Sequence, residues 1–308
     1  MLPRVAVQPK AGGLWPPELL IQGGPSVQTV TQLDPLRSAV QALKASGAVA
    51  LVPTMGALHE GHLTLVREAA QRAAHVVVSI FVNPRQFRPG EDLDAYPRQL
   101  AEDSALLAAA GVSLLWAPPA AVMYPPGYAT NVSVGGVSDG LCGTARPGHF
   151  DGVATVVCKL FNQIGPDLAL FGEKDWQQLA VIRRMARDLD LILPKPDAII
   201  GVPTVREADG LAHSSRNAFL SPELRQAAAT LPRAMQTAIA AIREGGRVRD
   251  VLDALQLELD LAGFSAVDYA ELRDAETLAL LAEPGTAPAR LLVAARIGTT
   301  RLIDNMPL

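Results

Sequence analysis

An open parallel β-sheet with helices on both faces, joined to a smaller α+β domain, is the fold the sequence predicts. Three observations predict it. Short apolar runs of buried-strand length alternate with stretches of helical spacing between about residues 34 and 201. Polar clusters follow several of these runs at once, at what would be the carboxyl ends of strands, where such sheets bind ligands. After Ser221-Pro222 the alternation gives way to two helical stretches and then strand-like segments.

The bulk properties agree. A chain of 308 residues, 49% hydrophobic and 19% charged, belongs to a globular protein of two ordinary domains. A net charge of −4 argues against a general nucleic-acid binder, which wants a basic patch. The two cysteines, Cys142 and Cys158, form neither a disulfide framework nor a C-x-x-C pair, which points to a reducing compartment. No apolar run approaches the roughly 18 residues of a transmembrane helix, and the N-terminus lacks an apolar segment of signal-peptide length. A cytoplasmic location without a membrane partner is expected.

In chain order, residues 1–28 are rich in proline and glycine without periodicity and read as a loose extension. Leu36, Val40 and Leu43 predict a helix over 34–46, stopped by Gly47. A buried strand then begins at Val49 and breaks at Pro53, and a helix runs through Leu63, Val66, Ala69 and Ala70. Val76–Phe81 is the next buried strand and ends in Asn83-Pro84-Arg85-Gln86-Phe87. A helix over about 100–110 leads to the strand Val112–Trp116. Residues 117–148 read as a long functional loop region with one short strand at Val132–Val134.

A helix then follows His149–Gly152, and a strand at Asp167–Phe171 opens directly into Gly172-Glu173-Lys174-Asp175. The helix over 176–189, the strand Ala198–Gly201 and the polar run Arg206–Asn217 complete the alternation. Beyond it, helices are predicted over 223–243 and 247–262, and strands over 267–272, 289–297 and 301–304. The expected domains are 29–205 and 206–308, the second closing over the first.

Three polar clusters carry the chemistry. His59 and His62, with Gly56 and Gly61, lie at a strand-to-helix junction. Free backbone N–H groups at a helix N-terminus favour anions such as phosphates, and imidazoles add donors. The same spacing also suits a metal pair or two capping histidines, but a third ligand near the pair is not evident in the sequence. Lys174 and Asp175, at a second such junction, offer a point charge for a phosphate and an acceptor for a hydroxyl. Ser214, Ser215 and Arg216 add two hydroxyls and a planar guanidinium. Gln86 and Gln178 follow two different strands, and neutral amides suit a hydroxy acid. The Walker G-x-x-x-x-G-K-[ST] and dinucleotide G-x-G-x-x-G signatures are both absent.

Together the segments P-T-M-G-A-L-H-E-G-H (53–62), F-V-N-P-R-Q-F (81–87), D-L-D-A-Y-P-R (92–98), G-H-F-D-G-V-A-T-V-V-C-K-L-F-N (148–162), F-G-E-K-D-W-Q-Q-L (171–179), G-L-A-H-S-S-R-N (210–217) and R-L-I-D-N (301–305) resemble the pantoate–β-alanine ligases. The histidine motif alone would indicate only the wider nucleotidyltransferase superfamily. The resemblance implies a Rossmann-like domain, a C-terminal lid, a homodimer, and adenylation of pantoate by ATP with Mg²⁺ before β-alanine attacks.

It also implies roles. Met55, Gly56, Ala57, Leu58, His59, Glu60, Gly61 and His62 would line the ATP site, with His59 and His62 on the phosphates and His62 the proton donor. Gly172, Glu173, Lys174, Asp175, Val205, His213, Ser214, Ser215 and Arg216 would complete that site. Lys174 and Arg216 would neutralise charge as pyrophosphate leaves, and Asp175 would meet the ribose. Gln86 and Gln178 would hold pantoate, with Gln86 also near β-alanine. Position 213 departs from the family pattern, which has an apolar residue there, and the extension before about residue 28 has no counterpart in it. Two other readings stand beside this one: an adenylyltransferase that stops at nucleotide transfer to another vitamin precursor, and a nucleotide-binding regulator without catalysis.

Overall fold

A computed structural model describes residues 26–308 other than Pro89 and Asp92. The extension expected over 1–28 therefore lies outside the described residues except for its last three, and of these Val27 is already buried.

The first domain runs β1 (Thr29–Val30), α1 (Leu33–Lys44), β2 (Val49–Thr54), α2 (Glu60–Ala70), β3 (His75–Ile80), α3 (Leu100–Ala109) and β4 (Leu114–Trp116). It continues through α4 (Ala120–Met123), α5 (Leu141–Ala145), α6 (His149–Ile164), β5 (Leu168–Gly172), α7 (Trp176–Asp188) and β6 (Ile199–Val202). Its six strands are all parallel, in the order β1-β4-β3-β2-β5-β6. The period of two along β2 divides the core: Val49 and Leu51 pack with α1, α6 and α7, while Ala50 and Val52 pack with α2 and α3. The chain leaves β2 toward β3 and β4, then returns to lay β5 and β6 on its other side. That reversal opens a crevice at the carboxyl ends of β2 and β5.

Several local expectations are corrected. β2 does not break at Pro53 but continues to Thr54. The Val49 carbonyl accepts from Asp167 on the β5 side and the Thr54 carbonyl from Phe81 on the β3 side, so position 53 faces β5. Pairing with β5 ends at Leu51, so the missing proline N–H breaks no ladder bond. Val132–Val134 is not a strand, because the Val132 amide donates to Thr155 Oγ1 at 2.9 Å instead of to a ladder. β1, which has no counterpart among the predicted strands, pairs only at Thr29–Leu115 and Val30–Trp116, too short for any periodicity.

The helical stretch after residue 222 is divided into α8 (Pro222–Ala228) and α9 (Thr230–Arg243). Pro232 has no N–H to offer the Ala228 carbonyl, which accounts for the break. α10 (Val248–Leu261) and the antiparallel sheet β7 (Phe264–Asp274), β8 (Ala289–Ile297) and β9 (Thr300–Pro307) complete a second core.

Candidate active site

The β2–α2 turn is built on two consecutive left-handed residues, Gly56 at φ +83° and Ala57 at φ +51°. A Cβ at position 56 would lie 3.0 Å from Asp103 Oδ2 and 3.2 Å from Ile80, which explains the glycine. The Gly56 amide donates to Thr54 Oγ1 at 3.2 Å, and the amides of Ala57 and Leu58 donate to the two Asp103 oxygens at 2.9 Å each. His59 is the N-cap of α2: its Nδ1 accepts from the Gly61 amide at 3.1 Å, while His62 Nδ1 accepts from the His59 amide at 3.3 Å. The two imidazoles thus cap the helix reciprocally, as a Ser/Glu capping box does.

This arrangement corrects the expected phosphate cradle. The amides of residues 56–59 and 61 are occupied by the protein itself, so they do not supply the free donors read from the helix N-terminus. The imidazoles offer the side-chain donors at this junction. An Nδ1 that accepts a backbone N–H carries no proton, which leaves Nε2–H on both rings. Burial, then the neighbouring His213 and Lys174, lower the His59 pKa to about 4; burial, then His59, lower that of His62 to about 3. Near neutral pH both rings are uncharged donors. The remaining side chains of the span diverge: Leu58 packs in the core, and Glu60 turns along α2 to pair with Arg67.

At the β5–α7 junction, Glu173–Asp175 forms one 3₁₀ turn before α7. Lys174 Nζ lies 3.8 Å from Asp175 Oδ2, and both line the interdomain cleft. Glu173 does not face it. Its carboxylate meets Arg290 at 3.1 Å, and Asn305 Nδ2 donates to the carbonyls of Glu173 and Lys174 at 2.9 and 2.8 Å. Arg290 also stacks 3.6 Å from the Trp176 ring centroid. The second domain thereby grips the turn that presents Lys174.

The third cluster hangs from a bridge between Arg206 and Ala212, with Arg206 held by both oxygens of Asp304 at 2.7 and 2.9 Å. The Val205 carbonyl accepts the His213 amide at 3.0 Å. The His213 ring then stacks on His59, centroids 5.9 Å apart and 19° from parallel. Ser214 and Arg216 line the cleft, and Ser215 Oγ lies 3.3 Å from the Tyr96 hydroxyl. The structure thus brings Lys174 and Asp175 into electrostatic range of both His59 and His62, and His213 into range of His59.

Gln86 follows β3, where Asn83 Nδ2 donates to its Oε1 at 3.1 Å and its Nε2 donates to Met55 Sδ at 3.0 Å. Asn83 Oδ1 in turn accepts from Tyr124 at 2.8 Å. The Gln86 carbonyl accepts from His149 Nδ1 at 2.9 Å and from Arg146, which pairs with Glu91 at 2.7 Å. Burial, then Arg146, lowers the His149 pKa to about 4. Gln178 lines the cleft of about 800 Å³ between the domains, a volume suited to small-molecule substrates. Asp103, Tyr124 and Arg146 were not singled out from sequence, and Asn83 and His149 were read only as members of longer motifs. Their spacing to the clusters carries no local signal, though buried polar residues beside a predicted site are the kind to look for.

The family model described as Pantoate-beta-alanine ligase matches residues 28–307. The chain belongs to the pantoate–β-alanine ligase family. Pantothenate synthetase of Novosphingobium aromaticivorans is 68% identical over 281 residues, covering 91% of this chain and 98% of the relative. The crystal structure of pantothenate synthetase from Thermus thermophilus has a TM-score of 0.85 at 49% identity, covering 91% of this chain and 99% of that one. The pantoate–β-alanine ligase of Francisella tularensis, solved in complex with β-γ ATP and β-alanine, has a TM-score of 0.77 at 31% identity and covers 91% and 97% of the two chains.

Proposed function

We propose a two-step mechanism for the reaction that membership of this family assigns, the ATP-driven joining of pantoate and β-alanine. A pantoate carboxylate oxygen attacks the α-phosphorus of ATP. The bond to the β-phosphate breaks, and pyrophosphate leaves. The β-alanine nitrogen then attacks the carbonyl of the pantoyl adenylate, the bond to AMP breaks, and the amine loses its proton as pantothenate forms.

The observation that carries this reading is the set of donors gathered at the β2–β5 crevice by three distant segments. His59 and His62 present Nε2–H to the phosphates, and Lys174 and Arg216 offset the charge that develops on pyrophosphate. Burial, then His59, holds the His62 pKa near 3, so on this reading His62 donates Nε2–H as a neutral hydrogen-bond donor in place of the proton donor that the resemblance implies. Gly172, Asp175, the Val205 backbone, Ser214 and Ser215 complete the nucleotide site, Asp175 at the ribose. Met55–Leu58, Glu60, Gly61 and Glu173 take part mainly by holding the two turns in shape. His213 supports His59 by stacking. Gln86 and Gln178 orient pantoate in line with the phosphorus, and Gln86 borders the β-alanine site.

Among the described residues no group of three or more His, Cys, Asp or Glu side chains is placed to hold a metal. Mg²⁺ would be held by the ATP phosphates beside Lys174 and Arg216, and would supply charge withdrawal as pyrophosphate leaves. We also read the protein as a cytoplasmic homodimer. Cys142 and Cys158 are unpaired, and no helix among the described residues is long and apolar enough to cross a membrane. The dimer rests on the resemblance, and light scattering tests it.

The deciding assay mixes protein, ATP, Mg²⁺ and pantoate with and without β-alanine and follows AMP. AMP that accumulates only with both substrates is expected. AMP release indifferent to β-alanine, or none, would overturn the ligase mechanism.

A further inference from the structure

Asp103 is a carboxylate on α3 with only 1% of its surface exposed. Its two oxygens accept from consecutive amides of the β2–α2 turn, Ala57 and Leu58, at 2.9 Å each, and Gln99 Nε2 adds a weaker contact at 3.4 Å. Two successive N–H groups presented by a turn with positive φ form the concavity in which turns bind external anions. Here the anion is internal. Asp103 fills the part of the turn where these amides converge, and it fixes Ala57 in a left-handed conformation that a residue bearing a Cβ disfavours.

The next residue is the His59 cap. Its extended backbone, φ −136° and ψ 178°, sets both the approach of Gly61 to His59 Nδ1 and that of the His59 amide to His62 Nδ1. The direction of each Nε2–H therefore depends on where the preceding turn ends. We propose that Asp103 is a positioning residue for adenylation: it plugs the amide concavity so that phosphate meets the imidazoles, and it fixes both rings in one tautomer and one orientation. The proposal rests on the reading that His59 and His62 face the ATP phosphates.

Asp103→Asn tests it, because the carboxamide keeps the shape but loses an acceptor for one of the two amides. Two quantities are measured: single-turnover formation of pantoyl adenylate, and the ¹⁵N ring signals of His59 and His62 in the ligand-free protein. The expected result is a rate lower by about 100-fold, the scale of an ångström-sized misplacement of reacting groups. The ring signals move from a single Nε2–H form toward tautomer exchange. A loss of packing alone would leave the tautomers of the folded fraction unaltered.

Should Asp103→Asn fail to fold, replacing Leu58 by its α-hydroxy acid removes just the N–H that Oδ1 accepts, and the same two readouts apply. Unmoved ring signals in either protein overturn the coupling from Asp103. Ring signals that shift while adenylation keeps its rate overturn the role of the histidines instead.

Discussion

Three imidazoles kept neutral by burial make this protein sensitive to mild acid. His59, His62 and His149 fall from the ordinary value of 6.5 to about 4, 3 and 4. In each case the unfolded chain takes up a proton that the folded one refuses. Stability is therefore intact above about pH 6.5 and declines as the pH drops below it toward the folded pKa values. At pH 5 the folded rings are still essentially uncharged, so the loss is set by the interval from pH 5 to 6.5, or about 2 kcal/mol per ring. His62 and His149, at separate sites, together remove about 4 kcal/mol. His59, less buried and 4.1 Å from the His62 ring, adds less than a full share. The sum approaches the ~5–15 kcal/mol that holds an ordinary domain folded.

Urea unfolding at pH 8 and pH 5, compared between the unaltered protein and His62→Ala, isolates one ring. The variant loses a helix cap and starts about 1 kcal/mol lower at pH 8. Its further loss on going to pH 5 is nonetheless expected to be about 2 kcal/mol smaller. His149→Gln, at a separate site, should show the same reduction. An equal drop between the two pH values in all three proteins would refute the claim that these rings fold uncharged.

Lys174→Ala should slow adenylate formation by about 10²-fold or more, with little change in thermal midpoint, since the side chain lies at the cleft wall; stopped-flow release of pyrophosphate measures it. At position 152 an added Cβ would lie 2.4 Å from the Arg85 carbonyl oxygen and 2.7 Å from the Gln86 amide nitrogen. Gly152→Ala should therefore cost about 1–3 kcal/mol in chemical denaturation and raise the KM for pantoate by displacing Gln86. Deleting residues 1–25 should leave adenylate formation at its full rate, because the family match begins at residue 28; a deletion that abolishes the rate in a folded protein would assign the extension a role.

The fold was legible because a sheet buried on both faces writes itself as apolar runs, and the helices over it as a 3.6-residue repeat. Val49–Val52 and Leu160–Phe161 were readable for that reason. Pro53 misleads because its effect depends on which neighbour it faces, a fact of pairing and not of local pattern. The site was half legible. Gly56, His59, His62 and Lys174 declare themselves as unusual residues at strand ends. What the sequence hid was who satisfies whom: the amides expected to greet a phosphate are taken by Asp103, 45 residues beyond Leu58, and by the histidines' own Nδ1 atoms. Long-range hydrogen bonds of that kind leave no periodicity to read.

The hold of Asn305 on the turn at Glu173 and Lys174 has a consequence for the order in which the enzyme comes into being. Asn305 follows Lys174 by 131 residues. At translation speeds of about 5–20 residues per second, roughly 7 to 26 s separate the synthesis of the two. During that interval the parallel sheet can assemble while the turn bearing Lys174 lacks its clasp. Competence to activate pantoate is then acquired late, when β9 pairs with β8. A nascent chain with a folded first domain therefore presents Lys174 on a turn that still lacks both Asn305 contacts.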